Sequence, residues 1–342
     1  MTAARSYLVA FGATCLLLTA VWVIAFGYQI GAPVAAEYWI PEMKIVKLRT
    51  AARIPGEKLV ILGGSNALFG LDSALIERQT GRATMNLSLH AALPLEYMFA
   101  DARSILRPRD VVILSLEYGY YTTTNPSPSW FSSNIMAWDP QYFWRLGLAD
   151  RVAFGLSASA KRVLNGVIAT PYEARLRQHH GRRVRAPAVV LDEAAAVWRD
   201  KRYRNQPAVY SLRSMDEYGD IQNNVGSFYT EDPDSLVIPR FAYSPGVWDG
   251  LRQIRDECRR NDIRVFIAWP AVPVELGRNA GPARRYLAAV LGQVARLGIP
   301  TLGEPSDYAL PRRYFYDTVY HLNEEGRTIR TTRLLSSLKS QL

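Results

Sequence analysis

From Ser6 to Ala36 the chain carries no charged residue. The stretch SYLVAFGATCLLLTAVWVIAFGYQI within it can cross a hydrocarbon core of about 30 Å at about 1.5 Å per helical residue. One transmembrane helix is therefore expected, with residues 1–30 as an anchor. A cleaved signal peptide has an apolar core of about 7–15 residues, shorter than this one, although Val34-Ala35-Ala36 resembles a small-residue cleavage site. A lipoprotein signal fits worse, because Cys15 sits in mid-run. Orientation is set by competing rules. Only Arg5 precedes the span while Lys44, Lys47, Arg49 and Arg53 follow it, yet a large domain after an N-terminal span often translocates regardless of charge.

The remainder must fold in water, since 49% hydrophobic and 21% charged residues match globular composition and exclude a disordered or polytopic chain. At 342 residues it exceeds one ordinary core, so an insertion or a second domain is expected. Two cysteines build neither a disulfide framework nor a Cys-based zinc site, and no metal or cofactor is expected. Residues 31–56, punctuated by Pro33, Pro41 and Pro55, read as an irregular stalk with at most a short helix.

Beyond the stalk, KLVILGGSNALFGLDSALIERQTG reads as a buried parallel strand, a tight turn and a helix. Further strands are expected at 83–89, 110–118, 263–270 and 299–303, and helices at about 93–106, 246–261, 281–297 and 323–340. This alternation predicts an α/β fold with an open parallel sheet covered on both faces, over residues 57–342. Between about 120 and 245 the alternation stops, so an inserted lobe is expected there, with one amphipathic helix in ADRVAFGLSASAKRVLNGV. The rings of Trp130, Phe131, Trp138, Tyr142, Phe143 and Trp144 suit the core of that lobe or a sugar-stacking surface.

Ligands of such sheets gather beyond the carboxyl ends of strands. The first strand ends in Gly63-Gly64-Ser65-Asn66, where glycines permit close backbone approach and Ser65 is either a helix N-cap or a nucleophile. A phosphate-binding loop is a poor match, since no Gly-Lys-Ser/Thr follows. Near the other end, FYDTVYHLNEEG places Asp317 and His321 before a helix marked by Asn323, Glu324 and Glu325. An imidazole can take a serine proton while a carboxylate fixes its tautomer, so Ser65, His321 and Asp317 supply nucleophile, base and orienter. Glu117, a lone acid at a strand end, reads as a buried network partner or a substrate contact.

In LVILGGSNALFG and YDTVYHLNEEG, with the weaker IRVFIAWPAVP between them, the chain resembles the SGNH, or GDSL-like, hydrolases. Within that superfamily it is similar to membrane-anchored polysaccharide O-acetyltransferases of the alginate acetylation type. The resemblance implies a flavodoxin-like three-layer αβα sandwich with a Ser65 nucleophile, its amide donating to the oxyanion, and Asp317 and His321 as partners. Three residues separate Asp317 from His321 where the commoner pattern has two. The family's second oxyanion donor resembles NLSLHAALP, with Ser88 or Ala91 at the usual glycine, and Asn66 follows the serine. The family's third-block asparagine has no counterpart in VILSLEYGYYTTTN, so Tyr118 or Asn125 would replace it.

The activity so implied is serine-dependent acyl, chiefly acetyl, transfer to hydroxyls of an exported polysaccharide. Its implied partner is a multi-span membrane acyltransferase that brings the acyl group. The place implied is the inner membrane, single-pass, with the soluble domain facing the periplasm. Two alternatives stand beside it: an extracytoplasmic carbohydrate esterase or deacetylase, and a catalytically silent scaffold of a polysaccharide export complex. A net charge of +10 and the run RLRQHHGRRVR raise nucleic acid as a partner, but the run lacks interleaved aromatics and an exported domain meets none. Arg182, Arg183 and Arg185 are instead candidates for contacting an acidic glycan, against a solvated charged face.

Overall fold

The computed structural model describes residues 2–31, 36–176, 184–200, 210–230, 241–274 and 281–342. Packing divides the chain into two units, one of residues 1–38 with 127–184 and the other of residues 39–126 with 185–342.

In the first unit, α1 (Thr2–Gln29) contains Ala3–Gln29, a stretch of mean hydropathy 2.3 that is long and apolar enough to cross a membrane. Leu8, Phe11, Leu17 and Ile24 along it are exposed, whereas Phe26 near its end packs on Phe143 and Phe154. Those rings belong to α7 (Pro140–Arg145) and α8 (Leu148–Ser157), which follow α6 (Pro128–Trp138). Phe131, Phe143 and Phe154 are buried, so part of the aromatic cluster is core; Trp144 is exposed. The amphipathic helix expected over 149–167 is two helices, because the chain turns extended at Ala158 before α9 (Ala160–Leu176).

The second unit is an α/β domain. Its five parallel strands are β1 (Lys58–Gly63), β2 (Ala83–Asn86), β3 (Val111–Ser115), β4 (Arg264–Ala268) and β6 (Thr301–Leu302), in the order β2-β1-β3-β4-β6. Strands β1 and β3 are buried along their whole length, as their unbroken Leu, Val and Ile runs require of a sheet covered on both faces. A two-stranded pair, β5 (Val272–Pro273) with β7 (Ala309–Leu310), lies outside that sheet.

Right-handed crossovers that leave β1 in one direction and return past it to β3 deliver their helices to opposite faces. On one face, α3 (Ser65–Gly70) and α4 (Ser73–Thr80) pack with α13 (Glu324–Leu338). On the other, α5 (Leu95–Arg103) meets α11 (Pro245–Arg260) through Arg103 and Glu257, and α11 packs on α12 (Gly281–Leu297). The order reverses between β1 and β3, and the crevice beyond the carboxyl ends of such a strand pair is where open α/β sheets bind ligands.

Two expectations are corrected. Residues 31–56 are not a stalk throughout: Trp39–Arg53 forms α2, whose Ile40, Met43, Val46 and Ala51 are buried in the sheet unit. Pro41 is no obstacle, because the first turn of a helix has no partner for the missing N–H. The segment 120–245 is also not one body. Residues 127–184 pack with the N-terminal helix, and those from Arg185 onward, including α10 (Pro187–Arg199), belong to the sheet unit.

Candidate active site

Strand β1 ends against β3 with Gly63 opposite Ser115. A Cβ on Gly63 would come within 1.9 Å of the Ser115 carbonyl oxygen, and one on Gly64 would lie 2.5 Å from both carboxyl oxygens of Glu117 and 2.7 Å from the Ala91 Cα. The glycine pair thus makes room for neighbouring groups. Neither residue has a positive φ; Gly64, at φ −88°, is extended and caps α3. Ser65 is therefore the first helical residue and not the N-cap. The residue as a whole is 8% exposed.

The C-terminal loop brings the acid and base together. Tyr316 N–H donates to the His321 carbonyl at 2.7 Å and Phe315 bridges Leu322, closing a loop. Inside it the Thr318 hydroxyl accepts the N–H groups of Tyr320 and His321. Across that turn Asp317 Oδ1 lies 2.7 Å from His321 Nδ1. Burial pushes the Asp317 carboxyl up, but hydrogen bonds from His321 and Tyr210, with the attraction of the imidazole, outweigh it and hold it below the usual carboxylate range. Asn323 then caps α13 by accepting from Gly326 N–H, as the sequence predicts.

Two side chains join that loop to the serine turn. Phe69, one helical turn beyond Ser65 on α3, stacks on the His321 imidazole with centroids 4.2 Å apart and planes within 7°. Tyr210 donates to Asp317 Oδ2 at 3.0 Å, and its hydroxyl lies 3.2 Å from His321 Nδ1. With Nδ1 facing Asp317, the other ring nitrogen points away from it. No hydrogen bond joins Ser65 to His321.

Glu117 is the acid that the strand order brings beside the serine. It is 4% exposed, two residues past β3, and its Oε1 accepts the Asn66 N–H at 2.9 Å. Burial pushes its carboxyl up, against the hydrogen bonds from Asn66 and the nearby imidazole.

The other oxyanion candidates divide. Asn66 is excluded as a free donor: its N–H is held by Glu117, Nδ2 donates to the Ser115 carbonyl, and Oδ1 accepts from Ser115 and Arg330. Ser88 is fully buried with its N–H on Asn86 Oδ1 and its carbonyl on Lys47, whose ammonium burial has lowered to about 7. Tyr118 is buried between Trp269 and Tyr286, its phenol pushed up by desolvation and its hydroxyl without a hydrogen-bond partner. Asn125 closes a turn with the Thr123 hydroxyl through its N–H and carbonyl. Ala91 remains, with its backbone against Gly64.

Arg185 is committed elsewhere. Its Nε and Nη2 donate to Glu42 at 2.7 and 2.6 Å and Nη1 to Glu193, joining α2 to α10. Those hydrogen bonds raise the guanidinium pKa further, while the side chain stays 35% exposed. Arg182 and Arg183 lie outside the described residues. A cavity of about 360 Å³ in the sheet unit is lined by Trp198, Arg213, Asp216 and Gln222 and includes neither Ser65 nor His321.

Sequence reasoning missed Phe69, Tyr210 and Arg330. Arg330, 0% exposed on α13, holds the serine turn through Asn66 O and Asn66 Oδ1, Ser115 Oγ and the Trp269 carbonyl, at 2.8–2.9 Å. Its i, i+3 spacing from Arg327 in an otherwise polar stretch was the one available signal, because the two arginines fall on one helical face. No protein-family model matches this chain, and no curated protein matches it in sequence.

Proposed function

We propose that the chain is a serine-dependent acyltransferase of SGNH type that passes an acyl group, chiefly acetyl, through Ser65 to a hydroxyl of an exported polysaccharide. The observation that carries this reading is the 2.7 Å Asp317–His321 pair, stacked on the helix that Ser65 begins, at the β1/β3 reversal of a parallel sheet. Asp317 holds the imidazole by Nδ1, leaving Nε2 to take the Ser65 proton as Oγ attacks the acyl carbon. Collapse of the adduct expels the donor's alcohol with that proton. An acceptor hydroxyl then gives its proton to Nε2, attacks the Ser65 ester and leaves acylated. Water in the acceptor's place gives the esterase reaction.

The apolar α1 supports a single-pass membrane anchor; the inner membrane, a periplasmic catalytic domain and a multi-span acyltransferase as donor are part of the same proposal. The test is acetyl release from a chromogenic ester, with and without polysaccharide acceptor. Ser65→Ala and His321→Ala should each abolish turnover to a similar extent, since members of one catalytic unit are non-additive. Faster release with acceptor, and acetyl on the glycan, mark the transferase; wild-type turnover in either variant refutes the serine mechanism.

A further inference from the structure

Glu117 has one satisfied oxygen and one that is not. Oε1 takes the Asn66 N–H, whereas Oε2 is buried with no hydrogen-bond partner. Both oxygens lie over the Cα of Gly64, the residue before Ser65, with the Ala91 backbone alongside. An ionised carboxyl there would be a desolvated charge whose donors, Asn66 and the Glu117 amide, leave Oε2 itself without a hydrogen bond. A protonated oxygen needs the reverse, an acceptor, and the carbonyl oxygen of an acyl group on Ser65 is one.

We infer that Glu117 is a catalytic residue of the Ser65 centre that, as a carboxylic acid, donates its Oε2–H to the oxyanion formed during acyl transfer. The inference rests on the acyl-transfer reading above. When Ser65 Oγ bonds to the acyl carbon, its proton passes to His321 Nε2 and the carbonyl electron pair moves onto oxygen. Glu117 shares its proton with that oxygen as a hydrogen bond and keeps it. When the pair returns, the bond to the donor's oxygen breaks, the donor alcohol leaves with the Nε2 proton, and Glu117 is unchanged. It does the work for which the resembling family uses an asparagine amide, with one difference: an acid stops donating once it ionises.

The groups facing Glu117 come from four elements: Asn66 from α3, Tyr120 and Tyr121 from the 3-10 helix Tyr118–Tyr121, Tyr320 and His321 from the C-terminal loop, and Arg330 from α13. Burial keeps the three phenols neutral. Arg330 already serves four oxygen acceptors, so it does not neutralise the carboxyl as a partner would. Burial pushes the Glu117 carboxyl up, in the direction that keeps its proton.

The test uses the full chain in detergent, wild type and the variants Glu117→Gln and Glu117→Ala. It combines acetyl release from p-nitrophenyl acetate across pH, labelling of Ser65 by a fluorophosphonate, and an infrared difference spectrum of wild type minus Glu117→Gln. The spectrum should show a carboxylic-acid carbonyl band at neutral pH. Glu117→Ala should lose about 100–1,000-fold in kcat with KM little changed, and Glu117→Gln, which retains a donor, less than about tenfold. Wild-type kcat should fall at alkaline pH as the acid ionises, and Glu117→Gln should not show that fall. Only carboxylate bands, or a Glu117→Gln loss as severe as that of a folded Glu117→Ala, would overturn the assignment. Should Glu117→Ala not fold, the spectrum and the Gln pH profile decide alone. Labelling of Ser65 that persists alongside an ionised Glu117 sinks this inference only; an unlabelled Ser65 with full turnover in Ser65→Ala sinks the acyl-transfer reading, and this inference with it.

Discussion

Replacing Arg330 by methionine should loosen the serine turn from a distance. The guanidinium is wholly buried and reaches the carbonyl and side chain of Asn66, the Ser115 hydroxyl and the Trp269 carbonyl. It thereby ties α13 to the ends of β1, β3 and β4 at once. Breaking a buried, hydrogen-bonded charge network from one side costs about 3–5 kcal/mol. Part of that is returned, because burying the cation is itself unfavourable, as its pKa, pulled down to about 10 by desolvation, indicates. A net loss of about 2–4 kcal/mol is expected. Urea unfolding of the full chain in detergent measures it, with the exposed Thr328→Ala on the same helix as control. Hydrogen exchange should quicken at the α3 amides next to Ser65, and acetyl release should fall with it. An unchanged midpoint and unchanged exchange over Ser65–Gly70 would refute the reasoning.

Asp110 accepts from the Lys58 ammonium at 2.6 Å with both side chains fully buried, and from the backbone N–H groups of Lys58 and Arg107, so Asp110→Ala should lower stability by about 3–5 kcal/mol in thermal unfolding. Gly63→Ala should prevent folding, because its Cβ meets a backbone oxygen at 1.9 Å, while Gly119→Ala, with open space around it, should express and melt like wild type. Asp317→Asn should cut ester turnover sharply, because it no longer stabilises the charged imidazole. Since the folded Asp317 carboxyl is held down, its contribution to stability is complete above the unfolded value of about 4 and is lost as pH falls through the folded value; the gap between wild type and Asp317→Asn should therefore close below about pH 4.

The parallel sheet is legible in the sequence because a strand covered on both faces needs an unbroken apolar run, and LVIL and VVIL supply it. Helix α13 is legible from Asn323 and the two glutamates that follow. Helix α2 is hidden because it buries Glu42 and Lys47 among its apolar residues and carries Pro41 in its first turn, so neither period nor composition marks it. Ser65, His321 and Asp317 can be nominated from chain position, since a hydroxyl after a strand and an acid near an imidazole are local patterns. Glu117 acquires meaning only when β1 and β3 are neighbours, which sequence order does not state. Tyr210 is farther from view still, being more than 100 residues from the pair it touches.

The central claim is that Ser65 carries the acyl group. Wild-type protein mixed with an activated acetyl ester in the absence of acceptor, quenched in acid and digested, should yield the Ser65 peptide bearing one acetyl group by mass spectrometry. The adduct should be missing from Ser65→Ala and His321→Ala and should disappear from wild type when a polysaccharide acceptor is added. A protein that turns the ester over with the acetyl group on another residue, or with an equal adduct in His321→Ala, would contradict the account.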